Sequence, residues 1–183
     1  DTEVLRRLIE SDISAEAGHD VAPHYLADGR IIFASTRQRQ SNAILLDEGK
    51  PQFAALDENR NEFAFTLHVM NEDGSDLRQV TFNQSHDTDP LVLGDGRVVF
   101  SRWDNMGGRN GFNLYVMNPD GTDQQLLYGA NSHATGTGGA TVQFDQPRET
   151  LDGQIMALLR PVATPRLGGA IVTINVAEYL EDT

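Results

Sequence analysis

Residues 67–74 read LHVMNEDG and residues 114–121 read LYVMNPDG, the same phrase 47 positions later. HDVAPHYLADGRIIFAS (19–35) and HDTDPLVLGDGRVVFSR (86–102) answer each other too, with His, Asp, Pro, Leu, Asp-Gly-Arg and Phe in register at an offset of 67. Self-similarity at this period means that one supersecondary unit is used repeatedly. The chain is thereby restricted to architectures assembled from copies set side by side.

The second copy shows the unit most clearly. HDTDPLVL reads as a strand entered through Pro90, where a missing backbone donor does least harm. Asp95-Gly96 makes a tight turn, since Asp-Gly pairs accept the positive φ that two-residue hairpins demand. RVVFSRW (97–103) is the second strand, DNMGGRNG (104–111) a polar loop, and FNLYVMN (112–118) the third strand. PDG (119–121) is another tight turn and TDQQLLYG the fourth strand. Val98 and Phe100 point to one side and Val99 to the other; Leu114 and Val116 oppose Tyr115 and Met117. A half-exposed sheet alternates with polar residues, so these sheets are expected to be buried on both faces. That is the situation between the blades of a propeller. A β-sandwich is the competing architecture, and it leaves the recurrence of a four-strand phrase unexplained. Helical periodicity is scarce. DTEVLRRLIE (1–10) is the best candidate, yet VLRRLIES also resembles the strand sequence SDLRQVTF; Val176–Leu180 suits one helical turn.

The expected fold is therefore all-β: a single domain, 1–183, forming a partial β-propeller of about three four-stranded antiparallel blades. Residues 4–9 are read as the last strand of a preceding blade, 19–82 and 86–128 as full blades, and 138–175 as a looser one. Closed propellers have about four to eight blades. An open stack leaves apolar faces and bare edges at its ends. The expectation is a piece of a larger propeller, or a chain that closes its ring with another.

Composition narrows the function. A formal net charge of −13 opposes nucleic acid and anionic membrane as partners. The absence of cysteine excludes disulfides, thiolate catalysis, zinc–thiolate sites and CxxCH haem attachment within these residues. No apolar run approaches the roughly 18 residues of a membrane span. The first residue is Asp1 rather than Met, as expected of a processed chain or one cut from something longer.

At LHVMNEDGSDLRQVTF and FNLYVMNPDGTDQQLL the chain resembles the TolB-type, WD-like propeller repeat. Pro23, Asp28-Gly29-Arg30 and Phe33-Ala34-Ser35, and again Pro90, Asp95-Gly96-Arg97 and Phe100-Ser101, fit that repeat. The likeness covers 19–128 well and 138–175 loosely. DTDPLVLGDGRVVFSRWDN with LYVMNPDGT and LLYGANS is most similar to the propeller domain of bacterial exported proteins of the hydrazine synthase alpha-subunit type. The resemblance implies a periplasmic or otherwise exported scaffolding or protein- and peptide-binding module, with no cofactor of its own. The partner would be a protein, a peptide or the remaining blades of the propeller. The alternative it implies is the propeller domain of a metal- or haem-dependent periplasmic oxidoreductase whose redox centre lies in another domain. Catalytic residues are assigned on neither reading.

His19 and His86 occupy one repeat position, and His133 follows His86 by 47 residues. At the start of channel-lining strands, these three would ring one mouth of the channel, where imidazoles can hold a divalent transition metal; His86 and His133 are the metal candidates. The competing role is an internal hydrogen bond within each blade. Asp20, Asp87 and Asp89 flank the same loops as carboxylates that could hold calcium or a cationic group; the competing role for Asp20 and Asp87 is as acceptors in a repeated Asx-type turn. His24 and His68 fall within strands and read as packed or rim histidines. NEDGSD (71–76) and NPDGTD (118–123) resemble a calcium loop but lack its closing glutamate, having Val80 and Leu127 there, and read as hairpins. The third copy departs from the template at SHATGTGGATVQFDQP (132–147), a glycine-rich insertion where binding loops concentrate. Trp103, Arg109 and Arg148 complete the candidate channel-face site.

Overall fold

The computed structural model describes residues 5–10, 18–38, 47–49, 56–57, 59–106, 109–130, 142–162 and 168–177. All elements among them are strands: β1 (Asp20–Tyr25), β2 (Ile31–Ser35), β3 (Thr66–Met70), β4 (Arg78–Gln79), β5 (Asp87–Val92), β6 (Val98–Met106), β7 (Arg109–Met117), β8 (Gln125–Tyr128), β9 (Val142–Glu149), β10 (Ile155–Pro161) and β11 (Ala170–Ile174). They form three antiparallel sheets in chain order, β1-β2-β3-β4, β5-β6-β7-β8 and, with three strands, β9-β10-β11. We refer to these as the first, middle and last sheets.

The register repeats with the sequence. Ile31 opposes Met70, Val98 opposes Met117 and Ile155 opposes Ile174. The sheets stack face to face. The first strands β1, β5 and β9 lie side by side, whereas the outer strands β4 and β8 meet no strand beyond their own sheets. This is a fan, as blades around an axis make. With the middle sheet covered on both sides, a two-layer sandwich is ruled out.

Alternation of apolar residues on both strand faces explains the stacking. Val98, Phe100 and Met117 on one face of the middle sheet pack against Leu26, Ile32, Ala34, Leu67 and Val69 of the first. On its other face, Leu91, Val99, Leu114 and Val116 pack against Phe144, Ile155, Ala157 and Ile174 of the last. Each large aliphatic or Phe side chain buried this way contributes about 1.5–3 kcal/mol. A turn hydrogen bond contributes about 1 kcal/mol. The faces therefore hold the sheets together, and the turns set only the path of the chain.

The turns differ from the two-residue hairpins expected from Asp-Gly. In GDG (94–96), Gly96 N–H donates to the Leu93 carbonyl and Leu93 N–H to the Arg97 carbonyl, at 2.9 and 2.8 Å. This three-residue loop needs the left-handed region only at glycine, where Gly96 has φ 90°. The aspartate serves as an acceptor: Asp95 Oδ1 receives Arg97 N–H at 2.9 Å. The same loop recurs at 26–30, 71–75, 118–122 and 150–154. In all five, hydrogen bonds from the residue two positions on, or from a neighbouring hydroxyl, draw the aspartate carboxyl below its ordinary range. NEDGSD and NPDGTD are two of these turns.

Proline also sits elsewhere than expected. Pro23, Pro90 and Pro147 lie inside β1, β5 and β9, each preceded by a non-glycine residue at positive φ: Ala22 (51°), Asp89 (50°) and Gln146 (51°). The ladders shift register at these points, between Val21 and His24, between Thr88 and Leu91, and on the β10 side between Met156 and Leu158. A β-bulge takes the proline out of the ladder, so its missing N–H leaves no acceptor wanting. Residues 5–10 form neither helix nor strand; Leu8 and Ile9 pack on Ile31, Phe33, Met70 and Leu77 of the first sheet. Val176 and Ala177 form a turn, and the rest of the expected C-terminal helical turn lies outside the described residues.

Two glycines with the same φ face different surroundings. A Cβ on Gly96 meets nothing within 4 Å, whereas one on Gly121 falls 2.1 Å from the Val80 carbonyl oxygen. Gly96→Ala is expected to cost about 1–2 kcal/mol from backbone strain alone. Gly121→Ala should cost clearly more, because the first and middle sheets must separate. Urea melts of both variants check this; equal losses would show that the two sheets do not meet at Val80.

Candidate functional site

Each sheet carries one Asp–Arg clamp from its first strand to its second or, for Arg37, to the turn just past it. Asp20 receives Arg37 Nε and Nη2 at 3.2 and 2.6 Å. Asp87 receives Arg102 Nε and Nη2 at 2.7 and 3.0 Å. Asp145 receives Arg160 Nε. Asp20 and Asp87 are thus held by guanidinium forks and are neither Asx-turn acceptors nor free carboxylates for a cation. Asp87 is 0% exposed. Burial pushes its carboxyl above the usual range, with the Arg102 hydrogen bonds pulling the other way. Arg102 also lies 5.1 Å from the Phe100 ring centroid and 4.8 Å from that of Tyr115. The Tyr115 hydroxyl donates to Asp104, and Asn113 Nδ2 bonds the same carboxylate at 2.7 Å. Burial first, and then the Asp104 charge, raise the Tyr115 pKa.

His86 precedes the middle clamp. Its ring stacks on Trp103 at 5.7 Å and 12°, and on Phe112 at 6.4 Å and 8°, with Phe65 tilted alongside. Nδ1 accepts from Phe65 N–H at 3.2 Å, and Nε2 faces Asp57 Oδ2 at 3.5 Å. Both ring nitrogens therefore have partners in the preceding repeat, and the imidazole ties the first sheet to the middle one. The backbone equivalence of the two histidines holds: Thr36 N–H donates to the His19 carbonyl as Trp103 N–H does to that of His86. The His19 side chain, by contrast, is exposed. His68 is 0% exposed within β3, stacked on Phe33, as a packed histidine should be. His133, with residues 132–141 of the glycine-rich insertion, lies outside the described residues. Among the described residues, no group of three or more His, Asp or Glu side chains is placed to hold a metal.

Trp103 lies on the long β6–β7 hairpin, its indole N–H donating to Asn110. Arg109 opens β7, opposite Met106. Arg148 lies far along the chain on β9, yet reaches the same surface as His24 of β1 and Asp89 of β5. His24 is half-buried; burial lowers its pKa, Arg148 lowers it further, and Asp89 opposes them. Gln146 N–H donates to Asp89 Oδ2 at 3.4 Å. The bulges make this arrangement. They fall at one position in each of the three first strands and turn Ala22, Asp89 and Gln146 into the left-handed region there. The surface along the three first strands is thus mixed in charge, with a cation, an anion and a titratable ring drawn from three sheets. Sequence reasoning named Arg148 and Asp89 as candidates and read His24 as a packed or rim histidine, but missed the arginines of the clamps. An Asp followed by an Arg 15 or 17 residues on, across an Asp-Gly turn, was the available signal.

No family model and no curated protein matches this sequence. Among solved structures, the hydrazine synthase of Kuenenia stuttgartiensis superposes with a TM-score of 0.54 at 22% identity, over 72% of this chain and 18% of that one. The tricorn protease superposes over 90% of this chain and 13% of that one, at 13% identity and a TM-score of 0.44, too low to bear on the fold. Hydrazine synthase contains a propeller, so the first likeness supports a propeller-like all-β fold, and at this identity it speaks to the fold alone. The chain spans less than a fifth of the hydrazine synthase chain.

The middle clamp yields a pH-dependent prediction. Arg102→Met leaves Asp87 buried without its guanidinium, at an expected cost of about 3–5 kcal/mol near neutral pH. A carboxyl raised in the folded state loses stability as pH rises through its folded pKa, and regains it on acidification. The deficit relative to wild type should shrink as pH falls from about 8 toward the ordinary carboxylate range of about 4. Thermal melts across that range test this; a deficit constant with pH would show that Asp87 takes up no extra proton in the folded variant and stays ionised there.

Proposed function

We propose that this chain is a non-catalytic, propeller-type binding or scaffolding module of a larger exported bacterial protein. Its partner would be a protein or an extended peptide held along the β1–β5–β9 surface. The observation that carries this reading is the convergence of His24, Asp89 and Arg148 from three sheets on one face. A peptide carrying both charges has complementary groups for each of them. The net charge of −13 supports a protein partner over nucleic acid. His86, Asp20 and Asp87 serve this function indirectly, by fixing the sheets that present the surface. The module needs no cofactor of its own. A redox role of the hydrazine synthase type would require a centre outside these residues, which contain no cysteine for covalent haem.

Selection from an unbiased peptide-display library on the purified chain tests this. Selected peptides should lose at least about tenfold in affinity, about 1.4 kcal/mol, against Asp89→Lys/Arg148→Glu, by calorimetry. Binding unaffected by that double change would move the site elsewhere. Metal analysis separates the alternative: a stoichiometric metal lost in His86→Ala/His133→Ala would overturn the cofactor-free reading.

A further inference from the structure

The imidazole of His86 fastens two separate points of the segment between β2 and β3. Nδ1 accepts the Phe65 N–H at 3.2 Å, and Nε2 faces Asp57 Oδ2 at 3.5 Å. Asp57 opens a small hairpin in that segment. Its N–H donates to the Glu62 carbonyl at 2.8 Å, its Oδ1 receives the Asn61 N–H at 2.9 Å, and Leu56 bridges Phe63. Phe65 lies where the chain enters β3, and its carbonyl receives the Asp87 N–H at 2.8 Å. One ring at the start of the middle sheet thus holds both the hairpin and the strand entry of the first sheet.

The fold does not need a histidine for such a bond. The Leu67 N–H, two residues on, is taken by the Thr81 hydroxyl at 2.9 Å, a group that does not titrate. His19, at the same repeat position as His86, keeps its side chain exposed. What the His86 ring adds is a choice governed by a proton. Nδ1 accepts only while the ring is neutral, because a charged ring carries N–H at both nitrogens. That second N–H would meet the Phe65 N–H, donor against donor. The Asp57 side has slack. At 3.5 Å the contact is longer than an ordinary hydrogen bond, and a charge-assisted N–H···O closes to about 2.7–2.9 Å. Charging the ring therefore drives it off Phe65 and draws it toward Asp57. Both side chains are enclosed, at 13% and 6% exposed, so the cation finds its anion inside the protein. The other groups against the ring, Phe65, Trp103 of β6 and Phe112 of β7, carry no charge. Asp87 of β5, the next residue, is paired with Arg102.

We infer that His86 is a latch worked by a proton. Neutral, it fastens the entry of β3 to the middle sheet. Charged, it stays with Asp57 and lets the Phe65 amide go. This is a switch of the kind in which one titrating group biases two discrete hydrogen-bond arrangements. The response is local, because the apolar faces of the first and middle sheets pack without it. Leu56 and Phe63, 43% and 51% exposed, ride on the segment concerned, so the apolar surface offered along this edge changes with pH.

Trp103 is the only tryptophan in the chain and its ring lies 5.7 Å from that of His86, so it reports the change. An imidazolium quenches indole emission more than a neutral imidazole does. Emission of the full chain should fall in a single one-proton step as pH is lowered from about 8 to about 5. His86→Asn places an amide oxygen where Nδ1 stands and cannot titrate, so the step should vanish with the fold retained. Amide hydrogen exchange of wild type gives a second measurement that needs no variant. Over the same step the rate at Phe65 should rise about tenfold relative to Leu67, whose Thr81 acceptor does not change. No emission step in wild type, or a step that survives in His86→Asn, overturns the assignment of the proton to His86. A Phe65-to-Leu67 ratio that stays constant through the step overturns the latch.

Discussion

The stacking of doubly apolar sheets is the interaction on which the rest of this structure depends. Val98, Phe100 and Met117 on one side of the middle sheet, and Val99, Leu114 and Val116 on the other, demand cover on both faces. At about 25 cal/mol per Å² of apolar surface removed from water, no polar contact in the molecule competes with that demand. Cover on both sides forces neighbours, and the twist of each sheet fans those neighbours about their first strands. The surface along β1, β5 and β9 exists because the faces stack.

Polar groups then refine what burial has arranged. The Asp–Arg clamps tie the first strand of each sheet to its second strand or, in the first sheet, to the turn just past it, and His86 links one sheet to the next through the Phe65 N–H. A buried ion pair adds little net stability but is costly to break, because an unpaired charge remains inside. Such groups select one register among the packings that an apolar interface alone would tolerate.

Much of the fold was legible in the residues. The paired phrases located the strands, and the runs of Val, Ile, Leu and Phe on both faces announced two-sided burial. The turns were legible in place but not in type: Asp-Gly suits both a two-residue hairpin and the observed loop, and the hydrogen bonds of Leu93 and Gly96 distinguish them. Pro90 was misplaced because proline fits either a strand start or a bulge, and local sequence does not separate the two. The site was legible only in fragments. His86 stood out by repetition, yet its ring nitrogens are taken up by Phe65 and Asp57. Asp57 and Phe65 come from the insertion and the strand entry of another repeat, with no spacing signal toward His86.

The sequence by itself determined the repeating unit, its strands, the glycine of each turn and the apolar character of both faces, since these depend on near neighbours along the chain. Tertiary structure decided which arginine clamps which aspartate, which histidine is enclosed, and that His24, Asp89 and Arg148 share a surface. Those outcomes depend on how far a bulge rotates a strand and on which sheet lies across the gap. Both are set by packing between residues tens to more than a hundred positions apart.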